Sequence, residues 1–212
     1  MTKHRETIDA EEAAGQARLV GEARFKEPAA CVEDITHMPE RKLSKDRVAR
    51  LAERSWVEDD EVLVAISKTG CGKSLVAQAI GSAARRRPLP TRYVRPADPC
   101  AEPNRARLAK GGACLQLMDR LKSIKPPVID DFLATPMEAA SSVGPFEILE
   151  AREGRRATTI ASRLEPNEWY LRTGGELIAD SILGRVASAC RYLDIDGPSM
   201  RKWIADNRPK RE

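Results

Sequence analysis

The chain has 212 residues, enough for one domain of ordinary size with a small extension and too few for two large domains. Lys and Arg total 36 against 32 Asp and Glu, and this net formal charge of +4 permits nucleic-acid binding without requiring it. The five cysteines are widely spread with no C-x-x-C spacing, and only two histidines are present, which argues against a disulfide framework, a zinc site and a histidine-based catalytic dyad.

The N-terminal residues lead into no apolar signal region, and no run approaches the roughly 18 apolar residues that mark a membrane-spanning helix. The sequence therefore predicts a cytoplasmic protein in a reducing compartment with no membrane attachment.

Residues 1–43 are predicted to form a short helical N-terminal extension and a linker. Residues 9–27 are rich in Ala, Glu and Arg with apolar residues at helical spacing, which predicts a polar helix, and residues 29–43 are predicted to be irregular. Ser44 then marks the start of a helix that runs to about Ser55. This helix opens the main domain, predicted at residues 44–205 and followed by a basic tail at 206–212.

Short apolar strands alternate with helices through the main domain. Strands are predicted at residues 61–66, 91–95, 127–131, 157–162 and 190–195, and helices at 73–86, 105–123, 136–152 and 176–188. Such alternation predicts an α/β fold with a parallel sheet flanked by helices on both faces. The carboxyl ends of the strands then meet at one edge, where ligands bind.

The predicted helix at 136–152 has a clear start and an interruption. Thr135-Pro136-Met137-Glu138 has the form of a capping box with proline at the first helical position. Gly144-Pro145 is expected to kink or split the helix, since proline lacks the backbone N–H that the helix needs.

The segment from Val62 to Ser74 predicts a phosphate-binding loop. It matches an apolar strand followed by G-x-x-x-x-G-K-[ST], except that Ser67 stands at the first glycine position, where its Cβ is expected to crowd the turn. Glycines let backbone N–H groups approach a triphosphate, and the helix that follows adds the positive end of its dipole. The predicted nucleotide-binding residues are Ser67, Thr69, Gly70, Cys71, Gly72, Lys73, Ser74 and Leu75.

A second strand ends in two adjacent carboxylates, and Asp130 lies 57 residues after Lys73. This is the pattern of a Walker B element. Ser74 and Asp130 are predicted to bind Mg²⁺, and Asp131 to orient or deprotonate the attacking water. The alternative is a strand that merely ends in a solvated Asp-Asp turn. It is less favoured here because a phosphate-binding loop precedes the strand in the sequence.

With both motifs placed, the chain resembles the IstB-like ATP-binding proteins, which are AAA+ helper ATPases of insertion-sequence transposition related to DnaC-type helicase loaders. The resemblance covers residues 30–202 and implies a P-loop AAA+ domain that binds ATP and Mg²⁺. The segments that carry it are Ala30–Ile35, Trp56-Val57, Arg92–Arg95, Asp130–Phe132, Glu147–Glu150, Gly154–Arg156, Ala179–Arg185 and Ser199–Arg201.

The resemblance implies catalytic roles for two further residues. Ser162 matches a polar position at the end of the fourth strand that bridges the γ-phosphate and the water, although Arg163 follows it where relatives carry an amide. Arg185 resembles the arginine that reaches the γ-phosphate of a neighbouring subunit, which implies a homo-oligomer. From the residues alone, Arg185 is better explained as a surface arginine of an amphipathic helix.

Several positions depart from the family pattern. Gly184 stands where an aspartate is usual, Leu133 replaces the glycine after the Walker B aromatic residue, and fewer residues precede Ala30 than in relatives. We expect a shortened and drifted copy that binds nucleotide better than it hydrolyses it.

The leading prediction is an ATP-dependent helper that assembles on double-stranded DNA and presents it to an integrase-type transposase. Basic side chains such as Arg85, Arg155 and Arg156 are candidates for phosphate contacts. The alternatives are a DnaC-like helicase loader and a non-catalytic or decayed nucleotide- and DNA-binding protein. A small-molecule kinase is disfavoured because no Arg-rich lid or acceptor pocket is recognisable.

Overall fold

The computed structural model describes residues 18, 21, 23–53, 55–85, 91–95, 113–124, 126–134, 139–172, 183, 184, 186 and 190–207. Its helices are α1 (Lys45–Ala52), α2 (Ser55–Glu58), α3 (Lys73–Arg85), α4 (Ala113–Ser123), α5 (Ala139–Arg152), α6 (Pro166–Trp169) and α7 (Met200–Asp206). Its strands are β1 (Val62–Ile66), β2 (Arg92–Val94), β3 (Pro127–Phe132), β4 (Thr158–Ser162) and β5 (Cys190–Asp194). Short 3-10 turns occur at Val32–Asp34, Pro39–Arg41 and Tyr170–Arg172.

The five strands form one sheet in the order β2-β3-β4-β1-β5, and every pair is parallel. All five strands lie where the apolar runs predicted them, within two residues at each end. Because the strands are parallel, the loops after β1, β3 and β4 meet at one edge of the sheet.

Both faces of the sheet are buried along β1, β3 and β4, as predicted for a parallel sheet, whereas the edge strand β5 is largely exposed. Along β1, Val64 and Ile66 belong to one hydrophobic cluster, which includes Phe132 and Trp169. The alternate residues of β1 belong to a second cluster, which includes Trp56. This period of two is what a strand requires when helices cover it on both sides.

Strand β3 carries a bulge next to its two carboxylates. Ile129 pairs with Ile160 and Phe132 pairs with Ser162, so β3 has one more residue than β4 between these two pairs. Asp131, inside the bulge, has a φ of +54°, in the left-handed region. The regular alternation of side chains between the two faces is therefore interrupted at this point.

The N-terminal segment packs against the sheet domain. Of the helix predicted at 9–27, the described residues Arg18, Gly21 and Ala23 are helical. The predicted end was wrong, because Arg24 turns into the left-handed region with a φ of +50°. Phe25 is then buried in contact with the ring of Tyr93.

The predicted linker at 29–43 contains buried apolar residues. Ala30, Ile35 and Leu43 belong to the same hydrophobic cluster as Leu63 and Ala65 of β1. Residues on both sides of the predicted boundary between 43 and 44 therefore share one hydrophobic core.

Helix α1 begins as predicted. The Ser44 hydroxyl accepts a hydrogen bond from the Arg47 backbone N–H at 3.2 Å, and the helix ends at Ala52, three residues before the predicted end.

Helix α5 runs through Gly144-Pro145 without interruption, so the predicted split of the helix was wrong. A proline inside a helix removes one backbone hydrogen bond, and here the turns that follow pack Phe146, Ile148 and Leu149 into the core. The capping box at 135–138 and residues 105–112 of the preceding predicted helix lie outside the described residues. Within the helix predicted at 176–188, Leu183, Gly184 and Val186 are described as helical.

Candidate nucleotide-binding site

The loop between β1 and α3 does not place Ser67 in a left-handed backbone conformation. Left-handed backbone occurs in this loop at Gly70, with a φ of +93°, and at Gly72, with a φ of +90°, and not at Ser67. The Ser67 backbone N–H donates to the Ser162 carbonyl at 3.2 Å, and its hydroxyl donates to the Lys68 carbonyl at 2.9 Å. The serine at the first glycine position is therefore compatible with the loop conformation.

The loop is held from outside by the start of α7. The Met200 N–H donates to the Gly70 carbonyl at 2.9 Å. A Cβ on Gly70 would lie 2.8 Å from the Ser199 Oγ, so a side chain at this position would force the Ser199 hydroxyl to move. Glycine is thus favoured at this position by its left-handed backbone conformation.

Arg41 holds the loop from the N-terminal segment. It is 2% exposed, and its Nη2 donates to the Cys71 carbonyl at 2.8 Å while its Nη1 donates to the Thr36 carbonyl. The Arg41 carbonyl accepts from the Asp196 N–H at 3.1 Å. Burial lowers the pKa of the Arg41 guanidinium. Nothing in the predicted linker indicated this residue.

The structure brings the loop and the two carboxylates together. Lys73 Nζ lies 2.8 Å from Asp131 Oδ1 and 4.0 Å from Asp130 Oδ1. The Ser74 hydroxyl donates to Asp130 Oδ1 at 2.9 Å. Residues 56 to 58 positions apart in sequence are thus joined as the two motifs predicted.

The bulge explains how two consecutive side chains reach the same lysine. On a regular strand, Asp130 and Asp131 would point to opposite faces. The extra residue and the left-handed φ of Asp131 turn its carboxylate towards Lys73, and the Asp131 N–H donates to Asp130 Oδ1 at 2.9 Å. Both carboxylates therefore face the loop.

Two residues at the end of β2 also contact the carboxylates. The Tyr93 hydroxyl donates to Asp130 Oδ2 at 2.7 Å, and Arg95 Nε donates to the Tyr93 hydroxyl oxygen at 3.0 Å. Arg95 Nη2 lies 3.7 Å from an oxygen of each carboxylate. Burial, and then the hydrogen bond to Asp130, raise the pKa of Tyr93. Tyr93 and Arg95 are two residues apart, a spacing that places both side chains on the same face of an extended strand.

Arg163 brings a further positive charge to the site. Its Nη1 donates to the Thr69 hydroxyl at 3.3 Å, and its Nε lies 4.0 Å from Asp131 Oδ1. Burial acts to raise the pKa of Asp131, but the hydrogen bond and charge of Lys73, with the charges of Arg95 and Arg163, outweigh it and lower this pKa. The carboxylate is thus held in its ionised form.

Ser162 has its hydrogen bonds within the protein. Its hydroxyl is fully buried, donates to the Phe132 carbonyl at 2.9 Å and accepts from the Trp169 indole N–H at 3.0 Å. The Leu164 N–H also donates to it, at 3.1 Å. Its contact with a phosphate stays a prediction, as does that of Arg185, which lies outside the described residues. Leu75, the last predicted nucleotide-binding residue, is 40% exposed on α3.

The donor set at Ser74 and Asp130 fits Mg²⁺. A hydroxyl oxygen and a carboxylate oxygen converge at 2.9 Å, and Mg²⁺ is usually bound by one or two protein oxygens with water and substrate phosphates. No group of three or more His, Cys, Asp or Glu side chains that could hold a metal occurs in the described part of the chain. A metal here would thus depend on the nucleotide for its remaining ligands.

The parallel sheet with flanking helices is the fold of a P-loop AAA+ domain. A family profile described as IstB-like ATP binding protein matches residues 3–207, and the chain belongs to this family. The resemblance predicted over residues 30–202 is confirmed and extends further towards both ends. Across the described helices, none is both long and apolar enough to cross a bilayer.

The chain is similar in sequence to ATP-binding proteins of bacterial insertion sequences. One from Sinorhizobium fredii is 32% identical over 171 residues, which cover 80% of this chain and 69% of the relative. One from Mycobacterium tuberculosis is 27% identical over 194 residues, which cover 90% of this chain and 75% of the relative.

Solved structures of replication proteins share the fold. AMPPCP-bound DnaA from Aquifex aeolicus matches with a TM-score of 0.63 and 17% identity over 86% of this chain and 55% of its own. DnaI matches with a TM-score of 0.62 and 19% identity over 80% of this chain and 89% of its own. The chain thus spans about half the length of the DnaA structure.

Proposed function

We propose that this IstB-like protein is an ATPase that acts as a helper of DNA transposition. It binds ATP with Mg²⁺, assembles on double-stranded DNA as a homo-oligomer and presents that DNA to an integrase-type transposase. The proposal places this work in the cytoplasm, where ATP and DNA occur together.

The observation that carries the proposal is the convergence of Lys73, Ser74, Asp130 and Asp131 at one sheet edge, with Lys73 Nζ 2.8 Å from Asp131 and the Ser74 hydroxyl 2.9 Å from Asp130. These are the groups that a triphosphate and its metal need. The transposition context is supported by the relatives, which are named as insertion-sequence ATP-binding proteins.

In the proposed reaction, the loop N–H groups and Lys73 bind the phosphates, while Ser74 and Asp130 hold Mg²⁺. The metal, when bound, neutralises phosphate charge. Asp131, which lies beside the loop, is proposed to orient or deprotonate the attacking water. Arg185 of a neighbouring subunit is proposed to contact the γ-phosphate.

The test is ATP turnover with and without duplex DNA, beside a Lys73→Ala variant. We expect turnover in the wild-type protein and none above background in the variant, since Lys73 is the cation that the loop presents to phosphate. Turnover no greater than that of Lys73→Ala would contradict the enzyme proposal. Retained ATP binding in that case would support the non-catalytic alternative.

DNA binding is tested separately, by the affinity for duplex DNA at several salt concentrations. A protein that neutralises phosphates releases counterions, so the affinity is expected to fall steeply as salt is raised. Absence of any salt-dependent DNA binding would contradict the helper role and leave the nucleotide site unaffected.

A DnaC-like helicase loader is the second candidate, because the DnaC helicase loader shares this fold, with a TM-score of 0.58 over 97% of that chain. The match is 15% identical and carries the fold alone. The two candidates are separated by partner binding. The transposition proposal expects ATP-dependent co-purification with an integrase-type transposase, and co-purification with a replicative helicase instead would favour the loader.

A further inference from the structure

The buried carboxylate of Asp130 uses its two oxygens for different partners. Asp130 is 0% exposed. Its Oδ1 accepts from the Ser74 hydroxyl and the Asp131 N–H, both at 2.9 Å, on the side of the nucleotide-binding loop. Its Oδ2 accepts from the Tyr93 hydroxyl at 2.7 Å, on the side of β2. With both oxygens bonded, the plane of the carboxylate is fixed.

Arg95 determines which way the Tyr93 hydroxyl points. An arginine Nε can only donate, so the contact of 3.0 Å from Arg95 Nε occupies a lone pair of the tyrosine oxygen. The single hydroxyl hydrogen is then left for Asp130 Oδ2. Tyr93 itself is held by packing, since it is 9% exposed and lies edge-on to Phe25 with ring centroids 6.2 Å apart.

We propose that Tyr93 is a positioning residue for the Mg²⁺-binding carboxylate of Asp130, and that Arg95 orients the Tyr93 hydroxyl for this purpose. The inference rests on the proposed binding of ATP with Mg²⁺ at this site. Loss of the hydroxyl frees the Asp130 carboxylate to rotate, and Arg95 Nη2, already 3.7 Å from Asp130 Oδ2, becomes its nearest partner on that side. Oδ1 keeps its two donors, but the carboxylate is no longer fixed from the side of β2. The direct consequence is a weaker metal site with an intact phosphate-binding loop.

The test compares Tyr93→Phe with a matched control, Tyr192→Phe, which removes a hydroxyl from β5 at a half-exposed position. Binding of a fluorescent ATP analogue is measured as Mg²⁺ is titrated, and again in EDTA. In Tyr93→Phe the Mg²⁺ concentration for half-maximal binding is expected to rise about 10–100-fold, the range for loss of a group that orients a metal ligand. Binding in EDTA is expected to match the wild-type protein, and Tyr192→Phe to match it under both conditions.

A second variant, Arg95→Lys, keeps the positive charge and removes the Nε donor. Its Mg²⁺ requirement is expected to rise in the same direction, which keeps the test valid if Tyr93→Phe does not fold. A wild-type Mg²⁺ requirement in both variants would overturn the inference and leave the proposed function standing. So would an equal loss of binding in EDTA, because the defect would then lie in the loop. Absence of Mg²⁺-dependent nucleotide binding in the wild-type protein would overturn both.

Discussion

Leu133 occupies a backbone conformation that favours glycine. Its φ is +51°, and its side chain is nevertheless 1% exposed within the core. A left-handed conformation costs a residue with a Cβ about 1–2 kcal/mol. A glycine would adopt this backbone without strain, whereas this chain accepts the strain while burying a leucine side chain.

We predict that Leu133→Gly and Leu133→Ala both destabilise the protein, with the glycine variant more stable by about 1 kcal/mol. Loss of a buried leucine side chain costs about 2–5 kcal/mol and dominates both changes, while glycine alone relieves the strain. Urea denaturation of the two variants measures the difference. An alanine variant more stable than the glycine variant, the usual order outside turns, would contradict this account of Leu133.

Asp131 is expected to affect turnover far more than nucleotide binding. In Asp131→Asn the shape is kept and the charge that orients water is lost, so ATP turnover should fall by about 100-fold or more, while the affinity for ATP stays close to that of the wild-type protein. Single-turnover kinetics and nucleotide titration check the two quantities. Turnover within about threefold of wild type would remove Asp131 from the proposed mechanism.

The ion pairs of Asp131 also predict a pH dependence of stability. The pKa of this carboxyl is lower in the folded protein, so its contribution is present above the unfolded value of about 3.9 and is lost as pH falls below it. The difference in unfolding temperature between wild type and Asp131→Asn should therefore shrink between about pH 5 and pH 3. A difference that is constant or grows over this interval would contradict the assignment.

Arg152 connects three elements of secondary structure. It is 1% exposed, and its Nη1 donates to the carbonyls of Leu121 and Ile124 at the end of α4, at 2.7 and 2.6 Å. Its Nη2 donates to the Ala157 carbonyl, and its Nε donates to the Thr158 hydroxyl at 2.8 Å. Burial, and then the charge of Arg156, lower the pKa of Arg152 to about 9. The last carbonyls of a helix need such donors.

Replacing Arg152 with methionine is expected to destabilise the protein by about 3 kcal/mol, because three buried carbonyls lose their donor. The corresponding fall in unfolding temperature is about 10 °C for a chain of this size. Arg155→Met is the matched control, since Arg155 is exposed on the following turn. If the two variants unfold at the same temperature, Arg152 does not hold α4, α5 and β4 together.

At the level of helices and strands, the sequence predicted an element correctly where one local pattern was sufficient to define it. The five strands are apolar runs between polar segments, and Ser44 provides a local hydrogen bond at the start of α1. The prediction failed at Gly144-Pro145, where burial of the turns that follow maintains a helix that local preference would interrupt. The bulge in β3 was also missed, because an extra residue becomes visible only against the partner strand.

At the level of the whole molecule, segments from both sides of the sheet domain meet at the nucleotide-binding loop. Arg41 contacts the Cys71 carbonyl and the Asp196 N–H, and Met200 contacts the Gly70 carbonyl. These contacts join positions 30 or more residues apart, which is why sequence patterns could identify the loop and not its supports. The contact of Tyr93 with Asp130 was not predicted for the same reason, since the two residues are 37 positions apart.

Arg41→Met is therefore expected to weaken ATP binding at a distance from the phosphates. A hydrogen bond from a charged donor contributes about 1.5–3 kcal/mol, so its loss is expected to lower ATP affinity by about tenfold or more. Lys42→Met is the control, because Lys42 is exposed and its partners are the exposed carboxylates of Asp194 and Asp196. Equal ATP affinities in the two variants, measured by nucleotide titration, would show that the loop keeps its shape without Arg41.

The extra residue in β3 means that the positions of the two adjacent carboxylates depend on the length of the backbone as well as on the identity of the residues. Deleting one residue between Ile129 and Phe132 would bring β3 into step with β4, and the alternation of a regular strand would then offer one carboxylate to the loop and send the other to the opposite face. A search for paired acids after an apolar run does not distinguish these two arrangements. Transfer of the paired carboxylates to another parallel sheet therefore requires transfer of the β-bulge as well.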